Sequence, residues 1–108
     1  MSVNKVILLG YVGADPEMHY PEVSSAIARF PLATSEQVGE NKTEVTEWHK
    51  IVMFGENAKF AERYIRKGTR LYVEGKLKYR EYTDRMKINR KVAEIVVSNF
   101  EILGRKPS

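Results

Sequence analysis

Cysteine is absent from the 108-residue sequence. Its absence excludes disulfide bridges, thiol-based catalysis and the cysteine-rich zinc sites that stabilise many small domains. Histidine occurs only as His19 and His49, and two separated imidazoles are too few for a metal centre. We therefore expect no metal and no cofactor, and we predict hydrogen-bonding roles for both histidines.

Long apolar segments are also missing. No stretch approaches the roughly 18 apolar residues of a membrane-spanning helix, so we predict no membrane segment. The first five residues lack the basic start and apolar stretch of a secretory signal, so none is expected. The length suits one domain, and a composition of 43% hydrophobic and 30% charged residues is that of an ordinary globular chain. A cytoplasmic location fits these features.

The sequence lacks the signatures of common catalytic sites. Gly10 and Gly13 resemble a phosphate-binding loop only superficially, because no lysine and serine follow at the required spacing. We find no nucleophile with a base and an orienting group, and no paired carboxylates in an apolar setting. We therefore expect a binding protein and not an enzyme.

Positive charge is concentrated in the second part of the chain. Residues 1–62 contain five Lys/Arg against nine Asp/Glu, whereas residues 63–108 contain thirteen against five. The net charge of +4 conceals this division. A basic half favours a polyanionic partner, although a merely solvated surface would give the same count.

Hydrophobic patterns predict five strands and one helix. The helix covers 57–67, with Asn57 as its cap and Gly68 at its end, and a polar loop covers 15–25. Three strands, a helix and two strands are the order of the OB-fold, a five-stranded Greek-key barrel with the helix between strands three and four. We therefore predict an all-β domain over 1–104 and a short basic tail over 105–108. The predicted strands are 4–12, 26–35, 44–54, 69–82 and 91–103.

Two of these strands interleave aromatic and basic residues at every second position. Residues two apart share one face of a strand, so Trp48, Lys50 and Phe54 lie on one face of their strand. By the same spacing, three cations and Tyr82 share one face of a later strand. Rings stack on bases and cations follow a phosphate backbone, which is what unpaired nucleic acid requires. We predict base stacking by Trp48, Phe54 and Tyr82. The predicted phosphate contacts on these strands are Lys50, Lys76, Lys78 and Arg80.

These residues also have structural interpretations. A lone tryptophan in a small barrel is commonly a core residue, but Lys50 on the same face argues for exposure, because lysine is rarely buried unpaired. Phe54 equally fits the end of the core. The cations fit a solvated strand, although like charges on one face repel each other and an anionic ligand would relieve this. Tyr79 points to the opposite face and is predicted to be a core residue.

The first strand is apolar on both faces. Only one face of a barrel strand points inward, so the other needs a cover, and a second copy of the chain is the simplest one. His49 opposes the face of Trp48, which also suits an interface. The predicted oligomer interface is Val6, Ile7, Leu8, Leu9 and His49.

An ordered set of short segments runs through the sequence. The segments are Val3–Ile7, Asp15–Glu17, Leu32–Ser35, Thr46–His49, Tyr64–Gly68, Tyr72–Gly75 and Tyr82–Asp84, with Gly10, Gly13, Phe54 and Gly55 between them. The set spans residues 3–104, nearly the whole chain, and is far more specific than any of its members. It resembles the bacterial single-stranded-DNA-binding proteins.

The resemblance implies a homotetramer of OB-folds, a dimer of dimers, which binds and protects single-stranded DNA during replication, repair and recombination. It implies a cytoplasmic, nucleoid-associated protein. Trp48, Phe54 and Tyr82 match stacking positions of the family. The basic positions that match backbone contacts are Lys5, Lys50, Arg66, Lys67, Lys78 and Arg80.

Three departures from the family pattern qualify this expectation. Val38 replaces a further stacking tryptophan of several members, and Glu56 and Glu81 stand where relatives can be basic. Members usually continue to an acidic tail that recruits replication and repair proteins, whereas this sequence stops at Ser108, so we do not predict recruitment. Two other functions stay open: a protein–protein adaptor of a replication-restart complex, and an RNA-binding OB domain.

Overall fold

The computed structural model describes residues 1–22 and 24–105, and these form six strands and one helix. No helix among them is long and apolar enough to cross a membrane. Arg105 ends the last strand, and the rest of the predicted tail lies outside the described residues. The elements are β1 (Val6–Val12), β2 (Glu17–Glu22), β3 (Ser25–Val38), β4 (Thr43–Phe54), α1 (Glu56–Tyr64), β5 (Thr69–Thr83) and β6 (Asn89–Arg105).

Five of the strands close into a barrel. They follow the order β1-β5-β6-β4-β3, and Tyr11 opposite Ala33 begins the short β1–β3 pairing that completes the circle. Only β4 and β6 run parallel within the described ranges, and the chain between them passes through α1 and β5. The predicted all-β class, the OB-fold barrel and the position of the helix are confirmed.

The predicted polar loop over 15–25 was wrong in part, because it contains β2. This strand pairs antiparallel with the first half of β3, with Glu17 opposite Arg29 and His19 opposite Ile27. Five of its six residues are exposed, and Met18 alone packs against the core. A strand that buries almost no apolar surface carries no period-two signal, so the pattern could not indicate it.

Alternating residues of the barrel strands form the core. On β3, every second residue from Ala26 to Leu32 is buried, and Ile51 and Met53 meet them from β4. The prediction that Tyr79 joins this core was wrong, since it is 65% exposed. Residues 78–83 of β5 pair only with β6 and extend past the barrel, where no opposite wall covers them.

Gly75 allows β5 and β6 to approach each other closely. The register between the two strands shifts at this glycine, as the sequence predicts for a bulge. A Cβ atom there would lie 2.2 Å from the carbonyl oxygen of Val96, so no other residue fits without moving the backbone. The shift keeps Val73 and Val97 both buried on either side of the bulge.

Helix α1 begins and ends differently from the prediction. It starts after Gly55, whose φ of 63° turns the chain, and no side chain caps it, so the prediction of Asn57 as the cap was wrong. Gly68 has the predicted positive φ, 91°, and its N–H donates to the carbonyl of Val12 at 2.7 Å. The buried Ala58 and Ala61 place the helix against β3 and β4, where it covers the barrel.

Candidate nucleic-acid interface

The outer face of β4 carries the rings that the alternation predicted. Trp48 is 61% exposed and Phe54 is 49% exposed, whereas Ile51 and Met53 between them face the core. Lys50 is exposed and lies opposite Pro31 of β3. The core interpretation of Trp48 and Phe54 is therefore excluded.

The basic residues of β5 continue this outer face. In the strand register, Lys76 lies opposite Val96, and Val96 lies opposite Val52 of β4. Paired residues of neighbouring strands point to the same side of a sheet, so the even-numbered residues of β4 and β5 share one surface. We call this surface the cationic face. Its members are Arg29, Trp48, Lys50, Phe54, Lys76, Lys78, Arg80 and Tyr82.

An acidic residue lies in the middle of the cationic face. The side chain of Glu94 is only 7% exposed and forms ion pairs with Arg29 at 3.3 Å and with Arg80 at 3.0 Å. Burial raises the pKa of Glu94, but the hydrogen bond from Arg80 and the charges of both arginines outweigh it and leave the pKa below its ordinary value. Sequence analysis missed Arg29, because its partner is 65 residues away in the chain.

The turn after Tyr82 is ordered by one carboxylate. Asp84 accepts hydrogen bonds from the backbone N–H groups of Met86 and Ile88, at 2.9 and 3.0 Å, and from Arg90 Nε at 2.9 Å. The Arg90 hydrogen bond, followed by those two N–H groups, holds the pKa of Asp84 below its ordinary value. Tyr82 is 43% exposed, and the Arg80 guanidinium lies 5.6 Å from its ring centroid.

A groove of about 630 Å³ runs beside Trp48. Lys67 lines it from the segment before β5, Arg70 from the start of β5, and Thr46 from β4. The indole lies over Gly13, where a Cβ atom would come within 2.3 Å of its Cζ3 atom. The structure therefore brings the predicted contact Lys67 into the same groove as the predicted stacking residue.

Two other predicted phosphate contacts are engaged within the chain. The Lys5 ammonium lies 3.5 Å from a carboxylate oxygen of Glu74, on the outer side of the β1–β5 pair. Arg66 donates from Nη1 to the carbonyls of Glu62 and Ile65, at 2.6 and 2.7 Å. Arg66 thus satisfies carbonyl groups at the end of α1 that the helix leaves unpaired.

The residues of the predicted oligomer interface divide between two environments. Val6 and Leu8 are partly buried and pack against the core of their own chain, whereas Ile7 is 55% and Leu9 is 45% exposed. His49 is half-buried, and its Nε2 atom is hydrogen-bonded to Thr34 Oγ1 at 2.8 Å. Of the predicted set, the side chains open to a partner on β1 are therefore those of Ile7 and Leu9.

Known proteins match this chain along nearly its whole length. The model of the Single-strand binding protein family matches residues 3–103. A curated single-stranded DNA-binding protein of Bacteroides thetaiotaomicron is 45% identical over 111 residues, which cover 98% of this chain and 69% of that protein. A solved structure described as a Plasmodium falciparum SSB complex with ssDNA superposes with a TM-score of 0.84 at 31% identity. That match covers 95% of this chain and 96% of the other.

Gly13→Ala is expected to displace the indole of Trp48. The new methyl group would lie 2.3 Å from Cζ3, and the ring moves more easily than the backbone. We expect a changed near-ultraviolet dichroism of the single tryptophan and stronger quenching by acrylamide, with the strand signal in the far ultraviolet retained. Glu40→Ala, at an exposed residue of the turn between β3 and β4, is the control and should leave the tryptophan signal unchanged. A tryptophan signal that is the same in both variants would contradict this packing.

Proposed function

Because the chain belongs to the single-strand binding protein family, we propose that it binds and protects single-stranded DNA through its cationic face. Binding involves no catalysis and no sequence preference. It serves wherever replication, repair and recombination expose unpaired strands, in the cytoplasm and beside the nucleoid. The observation that carries the proposal is the outward projection of Trp48 and Phe54 on either side of Lys50.

Base stacking allows the protein to bind DNA of any base sequence. Every base has an aromatic face, so a ring on the protein accepts any of them, and each stacked base contributes about 1–3 kcal/mol. Trp48, Phe54 and Tyr82 are the proposed stacking residues. Each is more than two-fifths exposed, although burial of so much aromatic surface would favour folding. A ligand that covers these rings recovers that free energy.

Phosphate neutralisation supplies the rest of the affinity. Across residues 1–22 and 24–105, Lys50, Lys76 and Lys78 take part in no ion pair, so their charges are available to phosphates. Each phosphate that a cation neutralises releases condensed counterions, so affinity falls as salt rises. Lys67 contributes in the groove beside Trp48. Lys5 and Arg66 contribute less, because their partners within the chain compete with DNA.

The outer side of β1 supports assembly into a homotetramer, a dimer of dimers. Ile7 and Leu9 leave an apolar patch there, next to Tyr72 of β5. Residues 6–10 of β1 pair with β5 on one edge. The pairing of β1 with β3 begins only at Tyr11, so the other edge of residues 6–10 offers backbone groups to a second chain. Both features suit an interface between copies.

Trp48→Ala is expected to weaken binding of labelled oligo-dT about 5- to 100-fold, because one stacked base is lost. The exposed indole contributes little to the core, so the melting temperature should change little. Tyr79→Ala is the matched control: it removes an equally exposed ring on the opposite side of β5 and should leave affinity unchanged. Unchanged affinity of Trp48→Ala would contradict the stacking role. Competition with oligo-U tests the RNA alternative, and a preference for oligo-U would favour it.

Leu9→Glu is expected to dissociate the assembly, because it places a carboxylate on the apolar outer side of β1. Sedimentation equilibrium at micromolar concentration should give a multiple of 12.5 kDa for the wild type and a lower mass for the variant. Val38→Glu, which changes an exposed apolar residue at the tip of the β3–β4 hairpin, serves as the control and should assemble normally. A wild-type chain that sediments as a monomer would refute the interface.

A further inference from the structure

Glu94 occupies an unexpected position for a surface that binds a polyanion. It lies within the cationic face, and its negative charge lowers the potential that attracts phosphates. The carboxylate is nearly inaccessible, at 7% side-chain exposure, so it meets no ligand directly. A carboxylate that weakens the attraction of phosphates and contacts no ligand can favour binding only through the side chains around it.

The geometry around Glu94 ties together three strands. Glu94 is on β6, Arg80 is on the neighbouring β5, and Arg29 is on β3, with β4 between Arg29 and Glu94 in the sheet. The Arg29–Glu94 pair therefore crosses β4 at the level of Val52, which lies opposite Arg29. Val52 points outward by alternation but is 1% exposed, as expected beneath such a bridge.

The hydrogen bonds leave one edge of each arginine available. Arg80 uses Nε at 3.0 Å and Nη2 at 3.3 Å towards the two oxygens of Glu94, and Arg29 uses Nε alone, at 3.3 Å. Within the described ranges, no other hydrogen bond from either guanidinium is present. The side chains keep 35% and 44% exposure, so the remaining N–H groups are open to solvent.

We propose that Glu94 is a positioning residue that holds Arg29 and Arg80 as an ordered pair, with their free edges directed at the phosphates of a bound strand. This inference rests on the proposed binding of single-stranded DNA. A free arginine loses much rotational freedom when it binds a phosphate, and a guanidinium already fixed by a carboxylate loses less. The smaller loss of side-chain freedom on binding thus offsets the weaker attraction that the negative charge of Glu94 causes.

Glu94→Gln separates positioning from simple electrostatics, because the two predict opposite signs. The variant removes one negative charge from the cationic face at nearly constant shape, so electrostatics alone predicts tighter binding of DNA. Positioning predicts weaker binding, because glutamine keeps only one acceptor oxygen and loses the carboxylate charge that attracts both guanidinium groups. We expect affinity for labelled oligo-dT at low salt to fall about three- to tenfold.

Glu81→Gln is the matched control. It makes the same chemical change on the same hairpin, and Glu81 is exposed and forms no ion pair within the described ranges. Its affinity should equal or slightly exceed that of the wild type. In an Arg80→Ala background, Glu94→Gln should lose most of its effect, since the better-bonded arginine is then missing.

Glu94→Asp keeps the assay informative if the Gln variant is unstable. It preserves the charge and shortens the side chain by one methylene, so positioning predicts weaker binding at unchanged net charge. Thermal melts confirm that each variant is folded at the assay temperature. Binding by Glu94→Gln and Glu94→Asp as tight as that of Glu81→Gln would overturn the inference while leaving the proposed function intact. A wild type that fails to bind oligo-dT would overturn both.

Discussion

Closure of the barrel by the short pairing of β1 with β3 determines which side of every strand meets water. Tyr11 opposite Ala33 and Val12 opposite Leu32 form this junction, and they turn an open sheet into one with an inside and an outside. Because the side chains of Leu32 and Ile51 point into the barrel, those of their neighbours Ala33 and Lys50 point outward. The exposure of Trp48 is therefore a consequence of barrel geometry, and no local loop conformation is needed to produce it.

The outer surface of the barrel carries exposed aromatic rings and, within the described residues, lysines that form no ion pair. Both cost stability in the free protein, because apolar rings stay in water and like charges stand near each other. The Arg29–Glu94–Arg80 arrangement limits the repulsion at one point, and the carboxylate is buried there without an unsatisfied polar atom among the described residues. The other cations of this face, Lys50, Lys76 and Lys78, form no ion pair within the described residues, so their charges stay uncompensated there.

The fold and half of the site could be predicted from the sequence, because both depend on alternation. Period two with a lysine between two rings, together with the family resemblance, favoured an outward position for Trp48 and Phe54. Features that depend on contacts distant in sequence were missed: β2 forms only because β3 offers an edge, and Arg29 finds Glu94 across β4. Tyr79 was misplaced because alternation gives the direction of a side chain but not the point at which the opposite wall of the barrel ends.

The central claim is that the outer face of β4 presents its single indole to the bases of unpaired DNA. The most direct test is the intrinsic fluorescence of the unmodified protein during titration with oligo-dT at low and high salt. Since Trp48 is the only tryptophan, any change in emission reports on this one position. The account predicts saturable quenching that requires more DNA as salt increases. DNA binding that leaves the emission unchanged at low salt would contradict it.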